Sequence, residues 1–142
     1  MGVQTYDPHK VIITFGGIPL TGYADGTFIS AKPSADRFTR KVGADGEVGR
    51  ARGADRTHEV TLTLLQVSPS NDYLSTVLAA DALSNAGVLP LQIADLSGTT
   101  LQFWDAAWIK TPPSMDDGKE IADRQWVFDT GQIVLENIGG NL

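Results

Sequence analysis

Val60-Thr61-Leu62-Thr63-Leu64 alternates apolar and hydroxyl side chains with the two-residue period of a half-buried strand. The segment feeding it has no such period. Between Lys41 and Glu59, Gly43, Gly46, Gly49 and Gly53 are spaced among Asp45, Glu47, Arg50, Arg52, Asp55 and Arg56, whose charges alternate in sign. A run of this kind cannot enter a core, so it belongs in solvent or against another surface. We expect a long charged interstrand loop over about residues 43–57, either disordered or built for contact.

Around that junction the chain reads as mostly β. Lys10–Phe15 is rich in β-branched residues and closes on Gly16-Gly17, and Pro19 marks an edge or a turn. Thr21–Lys32 carries Asp25-Gly26 between Tyr23 and Phe28, the signature of a tight turn. Arg37–Val42 has one mixed face (Phe38, Arg40, Val42) and one polar face (Arg37, Thr39, Lys41). After Gln66 the period changes. Ser68-Pro69 is a helix start, Asp72 suits the first turn, and Tyr73, Leu74, Val77 and Leu78 fall on one face, predicting a helix over Pro69–Ala86 that Gly87 ends.

Strands then resume. Val88–Leu96 is followed by a hairpin turn at Asp95-Leu96-Ser97-Gly98 into Thr99–Lys110, where Trp104 and Trp108 are expected on one face. Pro112-Pro113 interrupts, and the last strands carry Trp126 and Phe128 on one face and continue through Gln132–Ile138. The expected fold is mainly β: a β-sandwich or small barrel of about seven strands with one flanking helix. One domain over residues 1–142 is expected, with an N-terminal arm (1–8) and a C-terminal tail (137–142).

Composition removes several classes of function. No cysteine is present, which excludes disulfides, thiolate metal sites and a cysteine nucleophile. His9 and His58 stand outside any metal-ligand spacing. No apolar run approaches the ~20 residues of a membrane-spanning helix, and MGVQTYDPHK has neither the basic start nor the apolar stretch of a secretory signal. P-loop, dinucleotide, EF-hand, HExxH and GxSxG patterns are absent, and Asp116-Asp117, Glu120 and Asp123 lie in a loop with nothing to order them for catalysis or Mg²⁺. We expect no enzyme, cofactor or metal site. Specific nucleic-acid binding is disfavoured as well, because the pI is about 4.7 and no aromatic lies between Phe38 and Tyr73.

The charge is nevertheless polar along the chain. Residues 1–59 carry eight Lys+Arg against seven Asp+Glu, whereas 60–142 carry three against ten, giving the net −6. Six of the eleven basic residues lie between Asp36 and Glu59. The same pattern suits solvated loops or a head-to-tail contact in which the basic region of one copy meets the acidic region of the next.

GYADGTFISA, KVGADGEVGRA, VTLTLLQVSPSND leading into the helix, LQIADLSGTTL, and RQWVFDT followed by ENIGGN together resemble the tail tube proteins of contractile-tailed bacteriophages over nearly the whole chain. The resemblance extends to the fold group of the type VI secretion tube protein. It implies hexameric rings that stack into a hollow tube, with tail sheath, baseplate and tail-terminator proteins as partners. It further implies a virion location after assembly in the host cytoplasm, and DNA crossing the lumen without specific binding. A single-ring adaptor of the same fold, such as a terminator or baseplate hub component, is the alternative. In such tubes a long loop reaches an adjacent subunit or ring. That role falls here on Asp45, Glu47, Arg50, Arg52, Asp55 and Arg56, with Gly2–Asp7 and Asn137–Leu142 as secondary contact candidates.

Overall fold

The computed structural model describes residues 2–142. After a 3₁₀ turn at Pro8–Lys10, ten strands and one helix follow: β1 (Val11–Phe15), β2 (Ile18–Leu20), β3 (Ile29–Pro33), β4 (Phe38–Val42), β5 (Val48–Arg52), β6 (His58–Leu65), α1 (Ser70–Ser84), β7 (Leu89–Asp95), β8 (Leu101–Thr111), β9 (Asp123–Thr130) and β10 (Ile133–Asn137). Eight strands form one antiparallel sheet in the order β2-β1-β7-β8-β9-β6-β3, with β10 also pairing to β8; β4 and β5 pair only with each other.

The alternation in β6 is realised in full. His58, Val60, Leu62 and Leu64 are buried, while Glu59, Thr61, Thr63 and Leu65 face the other way. This strand lies between β3 and β9, and Trp126 and Phe128 of β9 point into the same core opposite Leu62 and Val60. The sheet folds over on itself in a sandwich-like arrangement. Phe15 of β1 meets Phe128 of β9 edge-to-face at 5.1 Å, although the two strands are separated by β7 and β8 within the sheet.

A bulge in β8 makes that folding possible and corrects one expectation. Between the pairs Leu91↔Trp104 and Leu89↔Ala107 one extra residue enters β8, so the buried positions run Gln102, Trp104, then Ala107, Ile109. The inside–outside phase therefore reverses at Asp105-Ala106. Trp104 is fully buried and Trp108 faces the opposite side, not the same one. The first half of β8 pairs with β7 and β10, the second with β9, so one strand serves both layers.

Helix α1 lies against the core through Leu74 and Val77, with Tyr73 and Leu78 partly buried beside them. Its start is fixed by side chains. Ser68 Oγ accepts from Ser70 N–H at 3.2 Å; Asn71 donates to the Leu65 and Ser68 carbonyls and accepts from Trp126 Nε1–H at 2.9 Å. The helix ends at Ser84, three residues before Gly87: Asn85 takes the left-handed conformation (φ 58°) and Asp81 Oδ1 accepts from Gly87 N–H.

Two further expectations are refined. Asp25-Gly26 belongs to a bulged strand rather than a hairpin, because Ala24 N–H bonds to Thr63 C=O and Thr63 N–H to Phe28 C=O, so the excursion loops out opposite Thr63. Pro19 sits in a true edge strand, β2.

Candidate functional site

The segment 43–57 is not an irregular loop throughout. A third of it is β5, which pairs with β4 from Phe38↔Arg52 to Val42↔Val48 and makes a projecting two-stranded arm. Its tip is a turn closed by Gly46 N–H to Gly43 C=O, with Gly43 N–H returning to Glu47 C=O at 2.7 Å. Gly46 is left-handed (φ 87°), the geometry a three-residue hairpin loop needs, and Asp45 Oδ1 accepts from Glu47 N–H. All ten residues of β4 and β5 are exposed.

The pairing sorts the arm into two faces. Phe38, Arg40 and Val42 lie across from Arg52, Arg50 and Val48, while Thr39 and Lys41 lie across from Ala51 and Gly49. The first face is thus apolar and cationic. Arg50 and Arg52 stack over the Phe38 ring at 4.2 and 5.0 Å, which orients their guanidinium groups without neutralising them.

At the base of the arm a charged cluster joins it to the body. Glu136 of β10 accepts from Arg37 Nη2 at 2.7 Å, and Arg56 Nη2 lies 3.9 Å from its other oxygen. His58, 1% exposed, turns Nε2 toward the same carboxylate at 3.3 Å. Trp104 Nε1–H donates to His58 Nδ1 at 3.3 Å, so the proton of the neutral ring sits on Nε2. Burial holds the His58 imidazole below its usual range; Glu136 pulls the other way and Arg37 adds to the depression.

The six residues singled out from sequence therefore do not converge on one point. Asp45 and Glu47 shape the tip, Arg50 and Arg52 share the Phe38 face, Asp55 accepts from Thr57 N–H and Oγ1 in a local turn, and Arg56 belongs to the base. Sequence reading missed Phe38, Arg40, Val42 and Val48 as members of the same surface, and Glu136 as the anchor of the arm. Both termini are tied to the β7–β8 turn. Leu142 N–H bonds to Ser97 C=O, Thr5 N–H to Leu142 C=O, and Asn141 Nδ2 reaches Asp95 and Ser97.

No cluster of three or more His, Asp or Glu suited to a metal ion occurs among the described residues. The geometry presents an exposed cationic-apolar arm on a rigid β body.

Comparison with known proteins identifies the family. The family model described as Bacteriophage PhiTE tail tube protein matches residues 14–138. Structural protein ORF10 of Pseudomonas phage KPP10 is 33% identical over 146 residues, covering 97% of this chain and 84% of that protein. Three solved structures share the fold. The tube-terminating cap of the anti-feeding prophage superposes with a TM-score of 0.62 at 19% identity, over 94% of this chain and 93% of that one. The PVC sheath/tube terminator of an extracellular contractile injection system, in its extended state, gives 0.65 at 14% identity over 92% and 95%. The sheath-tube complex of the same system gives 0.67 at 14% identity over 94% and 93%. The family match spans most of the chain, and the chain accordingly belongs to the phage tail tube family, as a structural component of a tail and not an enzyme.

Proposed function

We propose that this chain is the repeating subunit of a contractile phage tail tube: six copies close into a ring, and rings stack head-to-tail into a hollow conduit that DNA crosses during ejection. The observation that carries the proposal is the β4–β5 arm, ordered and yet exposed over its whole length, in a chain of the tail tube family. A two-stranded hairpin is marginal in water by itself, so an arm of this kind is completed by another surface.

The free edges of the sheet support the same reading. Among the described residues β2 pairs only with β1, β3 only with β6 and β10 only with β8, which leaves open edges. Edges of this sort invite pairing with another chain, and a closed ring removes them. The net charge of −6 suits a wall past which DNA slides without adhering. Sheath, baseplate and terminator proteins are the expected partners in the virion tail, after assembly in the host cytoplasm.

A second reading, a single-ring terminator, is favoured by the two cap and terminator structures that share the fold. Electron microscopy of the purified protein separates the two. Long hollow tubes or stacked rings are expected for the tube subunit and isolated rings for a terminator; monomers at every salt concentration would overturn both.

A further inference from the structure

Strand β6 has the arm at one end and a very different surface at the other. The arm leaves the body beside His58, where Arg37, Arg56 and Glu136 meet. At the Leu65 end, Gln66 binds the segment 112–122 through its backbone and side chain: Gln66 N–H to Ala122 C=O, Ala122 N–H to Gln66 Oε1, and Gln66 Nε2 to Asp117 Oδ1. Eight residues of strand separate the two ends, roughly 25 Å.

That far end mirrors the arm in chemistry. Between α1 and Pro112-Pro113 runs a groove of about 350 Å³, whose apolar lining is Leu78, Ala79, Ala82, both prolines and the edge of Trp126. The cation on its wall, Arg124, is tied to Asp117 at 3.3 Å. Asp116, Glu120 and Asp123 stand exposed on the adjoining segment with no ion pair among the described residues; Lys119 is the one exposed cation among them, so the segment stays net acidic, and Met115 and Ile121 are exposed beside them. The arm offers Phe38, Val42 and Val48 alternating with Arg40, Arg50 and Arg52; the groove offers apolar walls, and the segment that adjoins it through Asp117 and Arg124 carries the carboxylates.

We propose that the groove between α1 and Pro112-Pro113 receives the β4–β5 arm of a second copy, with Arg40, Arg50 and Arg52 of the arm facing Asp116, Glu120 and Asp123 of the recipient. Opposite ends of one molecule are complementary, so the contact is heterologous: every copy gives an arm at one end and receives one at the other. The apolar residues lose water together while the charges fix direction, since a reversed neighbour would set arginines against arginines. This deepens the self-assembly reading by naming the recipient surface, and it rests on that reading.

The absence of cysteine permits a direct test. Val48→Cys in one preparation and Met115→Cys in another, the second with a larger affinity tag, are mixed under assembly conditions and oxidised. Both positions are exposed, so the fold tolerates them. A mixed disulfide dimer dominating over either homodimer is expected. It should be lost when the first chain carries Arg50→Glu and Arg52→Glu, and return when the second carries Asp116→Lys and Glu120→Lys. Assemblies visible by microscopy without the mixed dimer would overturn this docking and leave self-assembly standing. Monomers under all conditions would overturn both.

Discussion

The tie between His58, Trp104 and Glu136 shows how one buried residue can set the conditions under which the arm is held. Neutral His58 accepts at Nδ1 and faces a carboxylate with Nε2; a second proton would set Nδ1–H against the indole N–H and charge a ring that is 1% exposed. The folded-state pKa is lowered mainly by burial, so the unfolded chain binds the extra proton first as pH falls. Stability is therefore full above the ordinary histidine value of 6.5 and declines as pH drops through that value toward the depressed folded one. Urea midpoints should fall between about pH 6.5 and pH 5, and the histidine titration followed by NMR should have its midpoint below 6.5. A midpoint at or above that value would mean that Glu136 outweighs burial. Glu136→Ala removes the acceptor of Arg37 and the carboxylate 3.3 Å from His58 Nε2, and should cost about 1–3 kcal/mol in chemical denaturation. Nothing about ENIGGN announces this role, because the acid finds its basic partners only when β10 returns beside the arm.

For the elements, legibility followed periodicity. β6 and β9 were readable because apolar residues alternate with polar or outward ones, Val60, Leu62 and Leu64 in the first and Trp126 and Phe128 in the second, and no bulge interrupts their pairing. β5 was not, because Val-Gly-Arg-Ala-Arg has one branched residue, Val48, and no aromatic to mark it as a strand. Small residues at Gly49 and Ala51 suit a pairing with Lys41 and Thr39 that only the partner strand reveals. The phase reversal in β8 was equally hidden, since an inserted residue leaves composition unchanged and appears only as a shift in pairing. The arm is a separable element, and its contribution can be measured apart from the body. Arg50→Ala, Arg52→Ala and Arg56→Ala together should leave circular dichroism and the thermal midpoint nearly unaltered, because the first two side chains touch only the arm and Arg56 is half exposed. Assembly should weaken by on the order of 1–3 kcal/mol per contact, roughly 10–100-fold. Tube growth at the native rate in that variant would remove the assignment of the arm to assembly.

At the scale of the molecule, charge and shape act together. The early part of the chain is balanced to slightly basic and the later part strongly acidic, and folding puts the exposed arginines on the arm and the unpaired carboxylates of 116–123 at the other end of β6. The sequence made the imbalance visible, but which acids lie far from the arm depended on the antiparallel return of β9 beside β6. Attraction between such exposed charges is screened within about 10 Å at 0.1 M salt and about 3 Å at 1 M. Light scattering should accordingly report slower assembly at 1 M sodium chloride than at 0.1 M; faster growth at high salt would assign the contact to apolar burial alone.

The shared strand β8 has a mechanical consequence. Its first half is bonded into one layer and its second into the other, so the layers are joined by continuous backbone as well as by interdigitated side chains. A load applied to one layer passes to the other along covalent bonds. Sliding the layers apart would require stripping β7 and β10 or β9 from β8, breaking several hydrogen bonds in shear at once. In the stacked tube proposed above, a subunit under axial thrust would keep its shape by that route.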